Sequence, residues 1–152
     1  EKANIDYNIG YAYFKMKQYD QAASHFGKYA KTSDDKARKN DAYIRLGDSH
    51  FVNSNYWPAM EAYNEAIALS GGKDDYAAFQ KAISYGFVDR NAQKIENLNT
   101  FLSTYTWSSY MDDALFELGN TYVAIDNNVE AIKTYNRLIV NMPEKVIVND
   151  YR

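Results

Sequence analysis

Apolar residues recur along the chain at three- and four-residue spacing in successive runs, and each run ends in a polar or glycine-bearing break. This periodicity predicts eight helices, roughly at residues 2 to 16, 19 to 32, 35 to 53, 57 to 70, 74 to 88, 92 to 104, 110 to 125 and 128 to 141. The punctuation agrees. Ser33-Asp34-Asp35 can cap a helix start, Pro58 suits a first helical turn, and Gly71-Gly72 can end a helix because glycine tolerates positive φ. Pro143 stops the last complete helix.

The runs are copies of one another. Phe79-Gln80-Lys81-Ala82-Ile83-Ser84-Tyr85 lies over Phe116-Glu117-Leu118-Gly119-Asn120-Thr121-Tyr122 without a gap, at an offset of 37 residues. The register carries on through Asp89 over Asp126, Asn91 over Asn128 and Ile95 over Ile132. Extended backwards it aligns Gly10, Gly47, Ala82 and Gly119, whose separations are 37, 35 and 37 residues. Periods in this range mark stacked supersecondary units. With two antiparallel helices per unit, the expected fold class is all-α, a right-handed solenoid or α-α superhelix of four helix hairpins. The repeats fall at about 3–36, 40–73, 75–108 and 112–145 of a single array over residues 1–152. Beyond Pro143, Val146, Ile147, Val148 and Tyr151 restart the pattern as the start of a further helix, so the chain reads as part of a longer repeat protein.

Glycine inside a helix costs about 1 kcal/mol against alanine, so three glycines at one phase imply a packing return. The expectation is that Gly10, Gly47 and Gly119 face Ala22, Ala59 and Ala131 on their mates and let the paired helices approach closely.

Composition narrows the function. Hydrophobic residues make up 46% of the chain and aromatics 16%, with 15 Tyr against only 2 Pro, which favours packed elements over linkers. The 17 basic and 20 acidic residues give a net charge of -3, and no dense Lys and Arg stripe is present to track a phosphate backbone, so nucleic acid is not expected. The absence of cysteine excludes disulfides, thiolate catalysis and cysteine-based metal sites. No stretch approaches the roughly 18 apolar residues of a membrane helix.

The phased residues resemble the tetratricopeptide (TPR) pattern of an aromatic, two residues, Leu-Gly, two residues, Tyr, then Ala, three residues, Phe, then Pro. The last unit supplies Leu115, Leu118-Gly119, Tyr122, Ala131, Tyr135 and Pro143. The second supplies Tyr43, Leu46-Gly47, His50, Ala59 and Tyr63, and the first Ile9-Gly10, Tyr13, Ala22 and Phe26. The third departs most, with Ala82 for glycine, Lys94 at a small-residue position and Leu98 for the aromatic, so its hairpin is expected to pack more openly. Ser109-Tyr110-Met111-Asp112-Asp113-Ala114-Leu115-Phe116-Glu117-Leu118-Gly119 further resembles the subclass in periplasmic bacterial proteins of outer-membrane assembly and the Tol-Pal system, without that subclass's opening proline. The resemblance implies a bacterial envelope or periplasmic setting.

In such repeats the first helix of every pair lines a concave face. By phase the groove residues are Tyr7, Tyr11 and Phe14, then Ile44, Asp48 and Phe51, then Phe79, Ile83 and Phe87, then Phe116, Asn120 and Val123. A peptide could lay side chains on those rings, with Asp48 and Asn120 fixing its orientation. Chaperone-adaptor members of the family clamp a C-terminal carboxylate with Lys, Asn and Arg. The corresponding stripe here carries Tyr7, Tyr11, Arg45, Tyr76 and Gln80, so only Arg45 could serve as a cation and that mode is not expected.

Catalysis and metal binding find no support. His25 and His50 stand alone on their helices, His50 in the place of a packing tyrosine and His25 expected at the surface. Asp34-Asp35, Asp74-Asp75 and Asp112-Asp113 recur at the starts of first helices, where carboxylates favour the helix dipole, instead of converging on a pocket. The expectation is a protein-protein interaction scaffold, not an enzyme, with no cofactor and no metal, whose partner is a protein or peptide. It carries the further expectation of self-association through exposed array ends. The alternative is a structural spacer or oligomerisation segment of a larger protein whose active or carbohydrate-binding domain lies elsewhere.

Overall fold

The computed structural model describes residues 2–141. The elements are α1 (Lys2–Lys15), α2 (Tyr19–Thr32), α3 (Lys36–Val52), α4 (Tyr56–Leu69), α5 (Asp75–Phe87), α6 (Asn91–Thr104), α7 (Met111–Ala124) and α8 (Asn128–Asn141). Each lies within one or two residues of its expected span, and no strand occurs among the described residues. The anticipated start of a further helix after Pro143 lies outside the described residues.

The helix ends follow from local chemistry. Asp35 caps α3 by accepting from the Arg38 amide at 3.2 Å, while the Ser33 hydroxyl accepts from the Asp35 amide at 3.1 Å. Asp74 caps α5 through the Ala77 amide at 3.1 Å. Asp112 and Asp113 sit in the first turn of α7 without a side-chain cap, favourable only through the dipole. At Gly71 and Gly72 φ is 67° and 81°, the left-handed region that glycine enters freely.

Four non-glycine residues share that conformation: Lys17, Ser54, Asp89 and Asp126, with φ between 59° and 61°. They are spaced 37, 35 and 37 residues apart, the period of the repeat. Each amide donates to the carbonyl three residues back, and the next amide donates to the carbonyl five residues back. One example is Ser54 to Phe51 at 3.0 Å followed by Asn55 to His50 at 2.8 Å. This is the Schellman arrangement, which satisfies the carbonyls left free when a helix ends and turns the chain into its mate.

The contacts divide the chain into two compact units between Ser84 and Tyr85, within α5. In the first, α1 packs on α2, α2 on α3 and α3 on α4. Ala22, Phe26, Tyr29, Ala30 and Ala42 form one buried cluster, and Ala59, Tyr63, Ala66 and Ala77 another. In the second, α6 packs on α7 and α7 on α8, with Leu98, Phe101, Leu102, Leu115, Leu118 and Ala131 buried.

At Gly10, Gly47 and Gly119 the atoms nearest to an added Cβ belong to an aromatic ring of the mate helix. A Cβ at Gly10 would stand 2.9 Å from Phe26 Cδ1, and one at Gly47 would stand 2.5 Å from Tyr63 Cε1. At Gly119 it would collide with the Tyr135 ring. Ala22, Ala59 and Ala131 are buried as well, and the aromatic four residues further on takes the space that a side chain at the glycine would fill. Lys94, at a small-residue position in the third pair, lays its stem against Gly86: a Cβ there would stand 2.8 Å from Lys94 Cδ. The lysine therefore fills space with its methylenes while its ammonium reaches Glu117 Oε2 at 2.9 Å.

Candidate partner-binding face

On α3, Asp41, Arg45 and Asp48 fall at i, i+4 and i+7 and form one stripe, which joins its neighbours through hydrogen bonds. The Tyr7 hydroxyl donates to Asp41 Oδ2 at 2.6 Å, and the Tyr11 hydroxyl donates to the same oxygen. Arg45 Nε donates to the Tyr11 oxygen at 3.4 Å, and Arg45 Nη1 donates to Asp48 Oδ2 at 2.6 Å. The other oxygen of Asp48 accepts from Tyr63 at 2.7 Å and from Tyr76 at 2.8 Å. Four helices of the first unit are thus tied to one polar stripe.

Burial sets the electrostatics. It pushes the Tyr7 and Tyr11 phenols up, reinforced by the Asp41 carboxylate, and it raises Tyr63 strongly, reinforced by Asp48. Burial alone would lower Arg45, but the Tyr11 hydrogen bond and the charges of Asp48 and Asp41 outweigh it and hold the guanidinium charged.

The anticipated groove residues of this unit differ in depth. Tyr7, Tyr11 and Phe14 are half-buried and lean on the Phe26 cluster, and Ile44 and Phe51 are half-buried on the Tyr63 cluster. Asp48 is only 7% exposed, with its carboxylate taken from three sides, and Phe79 is 8% exposed, while Ile83 is half-buried. Asp41, Tyr63 and Tyr76 complete the network. Asp41 was legible only as a charge on the same stripe as Arg45, and the approach of Tyr63 from α4 had no local signal.

In the second unit the anticipated groove residues Phe87, Phe116, Asn120 and Val123 are exposed. Phe87 is 58% exposed, Phe116 53% and Val123 46%. Phe116, Asn120 and Val123 fall at i, i+4 and i+7 on α7, so one face of that helix presents an apolar stripe, and Asn120 Oδ1 accepts from the Tyr135 hydroxyl at 2.6 Å.

The histidines belong to other surroundings. His25 is partly buried rather than exposed, because Nδ1 lies 2.8 Å from Asp6 Oδ1 and the ring stacks on Tyr13 at 5.6 Å. His50 is half-buried, and that burial lowers its pKa against the opposing pull of Asp20 and Glu61. With Tyr43 and Leu46 it lines a cleft of about 880 Å³ between α2 and α4. Helical periodicity places this cleft on the opposite side of α3 from the Asp41, Arg45 and Asp48 stripe. Among the described residues no group of three or more His, Asp or Glu side chains could hold a metal, and no helix is long and apolar enough to cross a membrane.

A family model described as Tetratricopeptide repeat matches residues 6–35 and 113–144, the first and last of the four hairpins. Comparison with curated proteins gives no match. Among solved structures, MamA is similar with a TM-score of 0.80 at 19% identity, over 95% of this chain and 80% of MamA. YrrB, described as a TPR protein with an unusual peptide-binding site, gives 0.77 at 18%, over 98% of this chain and 73% of YrrB. The apo form of RapI gives 0.78 at 15%, over 95% of this chain, which spans only 57% of RapI. At such identities the likeness shows the fold alone. Tetratricopeptide repeats are thus matched at residues 6–35 and 113–144, and the described residues form an all-α fold whose eight helices fit four helix hairpins.

Proposed function

We propose that this chain is a non-catalytic protein-interaction scaffold that binds a partner peptide or protein on aromatic and apolar residues of its first helices, in the second unit on Phe87, Phe116 and Val123. The observation that carries the reading is the exposure of Phe87, Phe116 and Val123. Large apolar side chains left in water at helical spacing cost solubility unless something covers them. Taken by itself, the first unit has the polar stripe of α3 beside the half-buried rings of α1, the mixture that peptide recognition uses for orientation. YrrB, which shares the fold, is a TPR protein described by its peptide-binding site. The finer placement, in bacterial cell-envelope assembly, rests on the likeness of residues Ser109 to Gly119 to that subclass.

A second reading is an oligomerisation segment. It draws on α8, where Val129, Ile132, Ile139 and Val140 are all exposed. One experiment separates the two. The chain is panned against a random nonapeptide display library in parallel with a Phe87→Ser, Phe116→Ser, Val123→Ser variant. The scaffold reading predicts a convergent peptide set for the native chain and its loss in the variant, with helical circular dichroism and melting temperature unchanged because the three side chains are exposed. Absence of any convergent set, with light-scattering mass rising with concentration, would favour the oligomerisation segment and reject the scaffold.

A further inference from the structure

We propose that the cleft between α2 and α4 receives helix α8 of a second copy of this chain. Gly27 gives the first reason. It stands inside α2, where glycine is unfavourable against alanine, yet an added Cβ would meet nothing closer than Leu46 Cδ1 at 3.9 Å, an ordinary contact. Packing within the chain therefore does not require this glycine, unlike Gly10, Gly47 and Gly119, where the missing Cβ leaves room for a ring. Gly27 lines the cleft with Ala23 and Ala62 beside it and Tyr43 and Leu46 beneath. A bare backbone thus faces a space of about 880 Å³ that an incoming side chain can approach closely.

The charges of the cleft select the occupant. Both α2 and α4 pack back along α3 through tight turns, so they run the same way: Asp20 and Glu61 share one end of the cleft, while Lys28, Lys31 and Glu65 share the other. Among the described residues Lys28, Lys31, Glu61 and Glu65 belong to no ion pair. Helix α8 carries the complement. Val129, Ile132, Ile139 and Val140 are exposed on one face, and Glu130, Lys133 and Arg137 fall at i, i+3 and i+7 along its border. Arg137 belongs to no ion pair among the described residues. The contact of Lys133 with Glu130, 3.3 Å long and open to water on both sides, is of a kind that costs little to give up. With α8 antiparallel to α4, Arg137 reaches the Glu61 end, Lys133 meets Glu65 one turn on, and Glu130 comes to Lys28 and Lys31. The aliphatic side chains then enter the cleft over Gly27, and charges of both signs meet their opposites. The surface proposed above for a peptide, on Phe87, Phe116 and Val123, takes no part.

Sedimentation equilibrium of the full chain tests the proposal. The native chain should self-associate as its concentration rises. Reversing the cleft by Glu61→Lys with Glu65→Lys, or the helix by Lys133→Glu with Arg137→Glu, should weaken that association by about tenfold. Mixing the two variants should restore it, because each then offers the charge that the other's changed surface requires, and restoration also shows that both keep their fold. Gly27→Leu, which fills the cleft with a good helix former, should weaken association with no loss of melting temperature. A native chain that stays monomeric at every concentration, association untouched by either reversal or by Gly27→Leu, or a mixture no more associated than its parts overturns the proposal.

Discussion

Asp48 and Tyr63 show how one buried pair shapes the chemistry of the first unit. Tyr63 is fully buried, its ring lies against the bare backbone of Gly47, and its hydroxyl donates to Asp48. Burial first, and the carboxylate second, raise its pKa well above that of a free phenol. The unfolded chain therefore releases this proton near pH 10 while the folded chain keeps it, so the folded state binds more protons and stability falls as pH rises through and above that value. Tyr63 alone should contribute a slope of about 1.4 kcal/mol per pH unit there, absent below about pH 9. Urea unfolding between pH 8 and 11.5 checks this: Tyr63→Phe should flatten the alkaline decline by that amount, and an unchanged slope would mean that Tyr63 ionises in the folded state. Periodicity identified the face on which Asp48 lies, but not its depth, because depth is set by hydroxyls arriving from α4 and α5. The same limit hides the part of Tyr63, whose ring stands closest to the space a side chain at Gly47 would take.

Helix positions were legible because each end is written in local chemistry: Asp35 and Asp74 as caps, Gly71 and Gly72 as a stop. The four remaining turns were legible in place but not in conformation, since Lys17, Ser54, Asp89 and Asp126 carry no glycine to announce a left-handed residue. For side chains other than Asn and Asp that conformation costs on the order of 1 kcal/mol, which the Schellman hydrogen bonds offset. Replacing Lys17 or Ser54 by glycine should therefore stabilise the protein by about 0.5–1 kcal/mol, net of the larger entropy of the unfolded glycine. The gain at Asp89 or Asp126 should be smaller, because aspartate tolerates the region better. Chemical denaturation of the four single variants measures the series. Destabilisation at Lys17 and Ser54 would mean that their side chains contribute contacts worth more than the backbone strain.

At the scale of the whole chain the period was the strongest signal. Glycines or alanine at 37, 35 and 37 residue steps required four hairpins, and eight helices follow with matching turns. In the third pair no repeat pattern encodes what fills the small-residue position: Lys94 lays its stem on Gly86 and its charge on Glu117. Function was less legible than fold, since the face of a helix follows from spacing while its occupant does not. The phase that buries Leu115 and Leu118 also turns Phe116 and Val123 outward, and the cleft beside His50 offers a competing surface on the other side of α3. The most direct measurement is therefore amide chemical-shift mapping of the 15N-labelled chain titrated with the most strongly enriched nonapeptide. The account predicts perturbations in the second unit centred on Phe87, Phe116 and Val123, with α6 and α8 little changed. Perturbations confined to α2 and α4 around Lys28, His50 and Glu61 would contradict it.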